Sequence, residues 1–134
     1  MIVADSSVLI AALASHHDGH ARAVDALRGA SKLIVHAAFE TCSVLSRLPE
    51  DLRMEAATVL ETLERDFPGP WLAMDRDGQH ACLRRAVDAG LRGGALYDAL
   101  IAATAREHGA TLLSADRRAR DAYEAMGVDL SYVE

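Results

Sequence analysis

Aromatic side chains are scarce in this 134-residue chain: Phe, Tyr and Trp make up only 4% of it. A core built without them has to come mostly from Ala, Leu and Val. Cysteine is nearly absent. Cys42 and Cys82 both lie in helix-like stretches without metal-ligand spacing, so a disulfide framework and a zinc site are excluded. They read as small buried hydrophobes in a reducing compartment. Three prolines and no low-complexity run exclude a disordered composition. No segment approaches the roughly 18 continuous apolar residues of a membrane span. Asp5 stands where a secretory leader would carry basic residues, so no signal peptide is expected and the chain reads as cytoplasmic. Lysine is the rarest charge, with Lys32 alone against thirteen arginines. The net charge of -6 argues against nucleic-acid binding over the whole surface but leaves room for a local basic rim.

What is present is half hydrophobic and a quarter charged, enough for an ordinary core in one domain spanning 1–134. Short apolar runs alternate with helical patterns. The runs at 1–4, 32–37, 71–74, 110–115 and 128–133 read as strands. The stretches 6–15, 19–30, 38–48, 50–67, 76–90, 95–109 and 116–127 read as helices. Strands that are apolar throughout, each followed by a helix, imply an α/β fold: a parallel sheet with helices on both faces, three layers in all.

In such a sheet the carboxyl ends of strands and the amino ends of helices share one edge, where ligands bind. Four acids are expected there. Asp5 follows the first strand in "MIVADSSVLI", and Glu40 sits in the first turn after the second. Asp98 opens the helix of "YDALIAATA", and Asp116 ends the fourth strand two residues after Ser114. Taken singly, each acid is more often a helix cap, and Asp75 also follows a strand. Together, without nearby Lys or Arg, the four carboxylates repel and raise one another's pKa. A hard divalent cation resolves that repulsion, and an all-oxygen set suits Mg²⁺ or Mn²⁺ over Zn²⁺. Such a cation can activate a water for attack on a phosphodiester. Ser6 and Ser7 are then left to cap the first helix.

These residues resemble the PIN-domain ribonucleases, in particular the VapC-type toxins of bacterial toxin–antitoxin pairs. The resemblance rests on "IVADSSVLIA", on "FET" with Glu40, on "YDALIAATAREHGATLLSAD" with Asp98, and on the closing "SAD" with Asp116. It implies a five-stranded parallel sheet, a Mg²⁺- or Mn²⁺-dependent single-strand endoribonuclease, and a homodimer neutralised by a cognate VapB-type antitoxin. By the same likeness Asp5, Glu40, Asp98 and Asp116 form the acidic cluster, with Asp5, Asp98 and Asp116 as metal ligands and Glu40 a ligand directly or through water. Ser6, Ser7 and Ser114 would orient a carboxylate or a water. Family members often carry an acid or an aromatic shortly after the last motif aspartate. Here Arg117, Arg118, Ala119 and Arg120 follow instead, and Asp121 is expected to be solvated.

Other features carry weaker signals. His16, His17 and His20 in "SHHDGH" read as a polar loop between helices. Arg117 and Arg118 could meet RNA phosphates, with Arg84, Arg85 and Arg92 extending a rim, although solvated helix faces explain both groups. Trp71 is placed for core packing. The stripe Leu52, Ala56, Val59, Leu60 and Leu63 is expected on one face of the 50–67 helix, part core and part partner surface. Two other readings compete with the ribonuclease: a non-catalytic module that binds protein or RNA, and phosphoaspartate chemistry at Asp5. The latter lacks a second aspartate at Ser7 and a lysine after the fourth strand.

Overall fold

Three short parallel strands hold the centre of the computed structural model, which describes residues 1–133. β1 (Ile2–Ala4) pairs with β2 (Thr111–Ser114), and β2 pairs with β3 (Asp129–Tyr132), in the order β1-β2-β3. The register sets Val3 opposite Leu112 and Leu112 opposite Leu130. Seven α-helices surround the sheet among the described residues: α1 (Ser6–Leu13), α2 (His20–Leu27), α3 (Val35–Ser46), α4 (Ala56–Asp66), α5 (Arg76–Asp88), α6 (Ala95–Glu107) and α7 (Arg120–Met126). A single 3-10 turn at Arg117–Ala119 leads into α7.

The expected α/β architecture with a parallel sheet is present, but the described residues hold three strands rather than five. The apolar runs at 32–37 and 71–74 meet only at one parallel bridge, Ile34 to Leu72. Leu72 N–H donates to the Leu33 carbonyl at 2.7 Å and the Leu72 carbonyl accepts from Val35 N–H at 2.9 Å, and no ladder extends from there. The reason lies in the next turn of chain. Ala37, Ala38, Thr41 and Leu45 are all buried on α3, a helical spacing that takes over from residue 35. A continuous apolar run does not distinguish a buried strand from a buried helix. Glu40 therefore sits in the second turn of α3 and not the first.

The long helix expected over 50–67 is also shorter. Residues 50–52 turn after Pro49 and 53–55 follow without regular structure, tied down by Met54 N–H to the Leu45 carbonyl at 3.0 Å. Within α4 only Val59 and Leu63 are buried; Leu52, Ala56 and Leu60 face solvent.

The core is dominated by Ala, Leu, Val and Ile. Small residues are concentrated on α6, where Ala99, Ile101, Ala102, Thr104 and Ala105 are buried and allow α5, α7 and β2 to approach closely. Gly109 ends α6 in the left-handed region, at φ 67°. Its N–H bonds the Arg106 carbonyl and Ala110 N–H bonds Ala105, a Schellman closure that turns the chain straight into β2. Asp98 at the start of α6 and Asp116 beyond β2 are thereby brought to one edge.

Candidate active site

Asp5 lies at the end of β1, where its N–H continues the ladder to the Leu113 carbonyl at 2.9 Å. Its side chain is 2% exposed and hydrogen-bonded on all sides. Oδ1 accepts from Ser7 Oγ at 2.5 Å and from Val8 N–H at 3.3 Å. Oδ2 accepts from Ser114 Oγ at 2.5 Å and Tyr123 Oη at 2.6 Å. Four donors fill the roughly four acceptor positions of a carboxylate, which is how a buried charge is tolerated. Asp5 is itself the N-cap of α1; Ser6 and Ser7 begin the helix and do not cap it. Ser7 Oγ also accepts from Ala115 N–H at 2.9 Å, and Ser114 Oγ accepts from Asp116 N–H at 3.0 Å. These hydroxyls lock the two strand ends together.

Asp98 has the opposite environment. It sits in the first turn of α6, half-buried, and among the described residues no hydrogen bond reaches its carboxylate. Its pKa is pushed up from 3.8 to about 6, first by burial and then by the charges of Glu40, Asp116 and Asp5. The four expected acids thus share one electrostatic site. Glu40 accepts from Ser6 Oγ at 3.2 Å and lies 4.0 Å from His36 Nε2. Asp116 caps the 3-10 turn, its Oδ1 accepting from Arg118 N–H at 3.0 Å and Nε at 3.3 Å. Asp75, the other acid that follows an apolar run, only caps α5 through Gly78 N–H.

The family model for the PIN domain matches residues 2–125. The chain belongs to the PIN-domain family. Across 133 residues, 99% of both chains, this PIN domain is 41% identical to Ribonuclease VapC40 of Mycobacterium tuberculosis (strain ATCC 25618 / H37Rv). It is 42% identical over 129 residues to Ribonuclease VapC27 of the same strain, covering 95% of this chain and 93% of that one. Among solved structures it is similar to FitAcB from Neisseria gonorrhoeae, with a TM-score of 0.69 and 22% identity over 97% of this chain and 96% of that one, a likeness of fold.

The donor set of the PIN domain suits a hard cation: four carboxylates, hydroxyls and no thiolate or amine. Asp98 brings the mutual repulsion that a cation would neutralise. Among the described residues, however, no three acids or histidines close into a ready-made metal cluster. Asp5 has every acceptor direction engaged, so its direct ligation needs a hydroxyl to turn away. Glu40, Asp98 and Asp116 hold the less committed oxygens.

The arginines flanking this PIN-domain site are engaged within the chain. Arg117 stacks over the Tyr132 ring at 4.3 Å and Arg118 folds onto Asp116, whereas Arg85, expected on the rim, lies at the far end of α6 and α7, its Nε donating to the Ala125 carbonyl at 3.1 Å. His16 and His17 occupy an exposed loop, and His20 Nδ1 lies 2.9 Å from the Ala11 carbonyl. Trp71 is half-buried and donates to the Phe67 carbonyl. Two site residues escaped the sequence. Tyr123 lies seven positions beyond Asp116 on the buried face of α7; burial, then the Asp5 charge, pushes its phenol well above the ordinary range. Asp121, the nearer acid, is exposed. The other is His36, whose i,i+4 spacing to Glu40 has meaning only on a helix, not in a strand.

Proposed function

We propose that this PIN domain is an endoribonuclease toxin of the VapC type, cutting RNA phosphodiester bonds with Mg²⁺ or Mn²⁺ and neutralised by a VapB-type antitoxin. The observation that carries the reading is Asp98: a half-buried carboxylate with no donor and three like charges around it. Full-length similarity to two proteins named as VapC ribonucleases supports it. Asp98, Asp116 and Glu40 would hold the cation, and Asp5 would join by releasing a hydroxyl or act through the waters between. When bound, the cation supplies Lewis-acid stabilisation of the charge developing on the phosphate and makes a neighbouring water more acidic.

The protein side of the mechanism is positioning. Ser7, Ser114 and Tyr123 fix Asp5 at the junction of β1 and β2. Ser6 restrains Glu40 from α1, and the rigid start of α6 presents Asp98. Glu40 and Asp98 sit within helices, and Asp5 and Asp116 cap the elements that follow them, so little reorganisation is needed when charge develops. A groove of about 480 Å³ between α1, α2 and α4, lined by Leu9, Leu13, Val24, Leu27, Leu63 and Phe67, suits an apolar antitoxin segment. We assign the protein to the cytoplasm, as a homodimer; no helix among the described residues is long and apolar enough to cross a membrane.

The test is cleavage of structured RNA by chain purified free of partner, with and without Mg²⁺ or Mn²⁺. Cleavage is expected only with the cation, and to fall about a thousandfold or more in a folded Asp98→Asn protein, as loss of several kcal/mol of charge stabilisation requires. Chelator-resistant cleavage would sink the metal mechanism. RNA binding without any cleavage would turn the assignment to a non-catalytic module.

A further inference from the structure

Two of the chain's six aromatic residues are left on the surface, and both immediately precede an expected site acid. Phe39, before Glu40 on α3, is 71% exposed; Tyr97, before Asp98 on α6, is 56% exposed. Phe67 and Tyr123 are buried and Trp71 and Tyr132 half-buried, so exposure is not the general fate of aromatics here. The two helices are joined across this surface by a third ring. His36 stacks on Tyr97 with centroids 5.1 Å apart and planes 4° from parallel. Phe39 lies three residues on along α3, a spacing that places it beside His36, and both line a shallow cavity of about 180 Å³ that continues over Leu72 and Leu100.

We propose that Phe39, His36 and Tyr97 form a stacking platform for an unpaired nucleobase of the RNA, next to the phosphate presented to Asp98 and Glu40. This rests on the ribonuclease reading and adds to it the side chains that would hold the strand beside the acids. Parallel planar rings offer the face that a base needs, whereas a base in a duplex has both faces covered. Stacking also suits an acidic site. A base carries no charge, so the platform can hold the strand where the acid cluster repels the backbone. The exposed rings flank the acids themselves, which points to the strand being cut as their partner.

The test measures affinity for a single-stranded RNA octanucleotide in an Asp116→Asn background that halts turnover. Tyr97→Leu and Phe39→Leu keep the apolar bulk and remove the ring; each is expected to weaken binding roughly tenfold. Tyr97→Phe and Phe39→Trp keep a ring and should stay within about twofold. On the protein carrying both rings, one abasic position in the octanucleotide should cost a similar factor, and that abasic strand should no longer distinguish the Leu variants. This arm needs no aromatic substitution and so does not depend on how the variants fold. If the unsubstituted protein cuts RNA while the Leu variants bind like the protein with its rings, or while no abasic position matters, the platform is wrong and the ribonuclease stands. If the unsubstituted protein neither cuts nor binds RNA, the ribonuclease reading falls and takes the platform with it. Ring removal that splits a dimer in sedimentation and leaves RNA affinity unchanged assigns the rings to a second copy of this chain, which also overturns the proposal.

Discussion

Asp5 and Asp98 are two carboxylates on one edge of one sheet, and the fold treats them in opposite ways. Asp5 is buried and meets four donors from α1, β2 and α7. Asp98 is half-buried, meets no donor, and carries the repulsion of its three acidic neighbours. The first charge is settled by the protein itself and serves the structure as well as the site. The second is left unsettled, and only a proton or a cation can settle it. Stability and reactivity are thereby divided between residues that are chemically identical.

The comparison can be broken most sharply at Asp5. Asp5→Ala leaves the hydroxyls of Ser7, Ser114 and Tyr123 aimed at an empty position inside the fold. A loss of about 3 kcal/mol is expected, read as a fall in Tm of about 10 °C. A smaller change would show that the hydroxyl network does not hold the strand ends together. The next effect is ligand-linked. Millimolar Mg²⁺ should raise the Tm of the parent by several degrees through preferential binding to the folded state. The same addition should do nothing for Asp98→Asn, and calorimetry with and without EDTA checks both.

Asp98→Asn in the absence of metal should have the opposite sign to Asp5→Ala. Because folding raises the Asp98 pKa from 3.8 to about 6, the folded state holds this proton more tightly than the unfolded chain. Its contribution therefore becomes less favourable as pH rises from about 4 to about 6, and stays so above. The asparagine removes that penalty. The variant should be more stable than the parent by about 1–2 kcal/mol at pH 7 to 8, allowing for solvent screening, and equal to it near pH 4. Denaturant melts across that range decide the matter, and a destabilised variant at pH 7 would show that the repulsion is absent. The smallest effect is at Tyr123→Phe, which deletes one of the four donors to Asp5 and should cost about 1 kcal/mol, visible as a lower urea midpoint.

Much of this was readable beforehand because it depends on short stretches of chain. Asp5, Asp98 and Asp116 each follow a strand or open a helix within a few residues, and local pattern places them. The helix boundaries of α1, α5 and α6 follow the same logic, with Gly109 marking the end of α6. The run at 32–37 was misread because continuous apolar sequence fits a strand or a helix equally, and the run at 71–74 keeps a single bridge because its neighbour turns into α3 at residue 35. Ala37, Ala38, Thr41 and Leu45 tip the first of them into α3, with consequences for His36 and Glu40. The start of the 50–67 helix was misjudged because Met54 is anchored to Leu45 by a backbone bond that no periodicity reveals, while Val59 and Leu63 of the stripe are buried.

The sequence by itself determined which residues carry charge into the site and roughly where along each element they fall, since strand ends and helix starts are local features. Only the tertiary structure decided which of those charges is satisfied. Tyr123 reaches Asp5 from 118 residues away and Ser114 from 109, and contacts at that separation exist only once β1, β2 and α7 have been folded against one another. Burial and like-charge repulsion then raise Asp98, a property of the assembled edge and of no single stretch of chain.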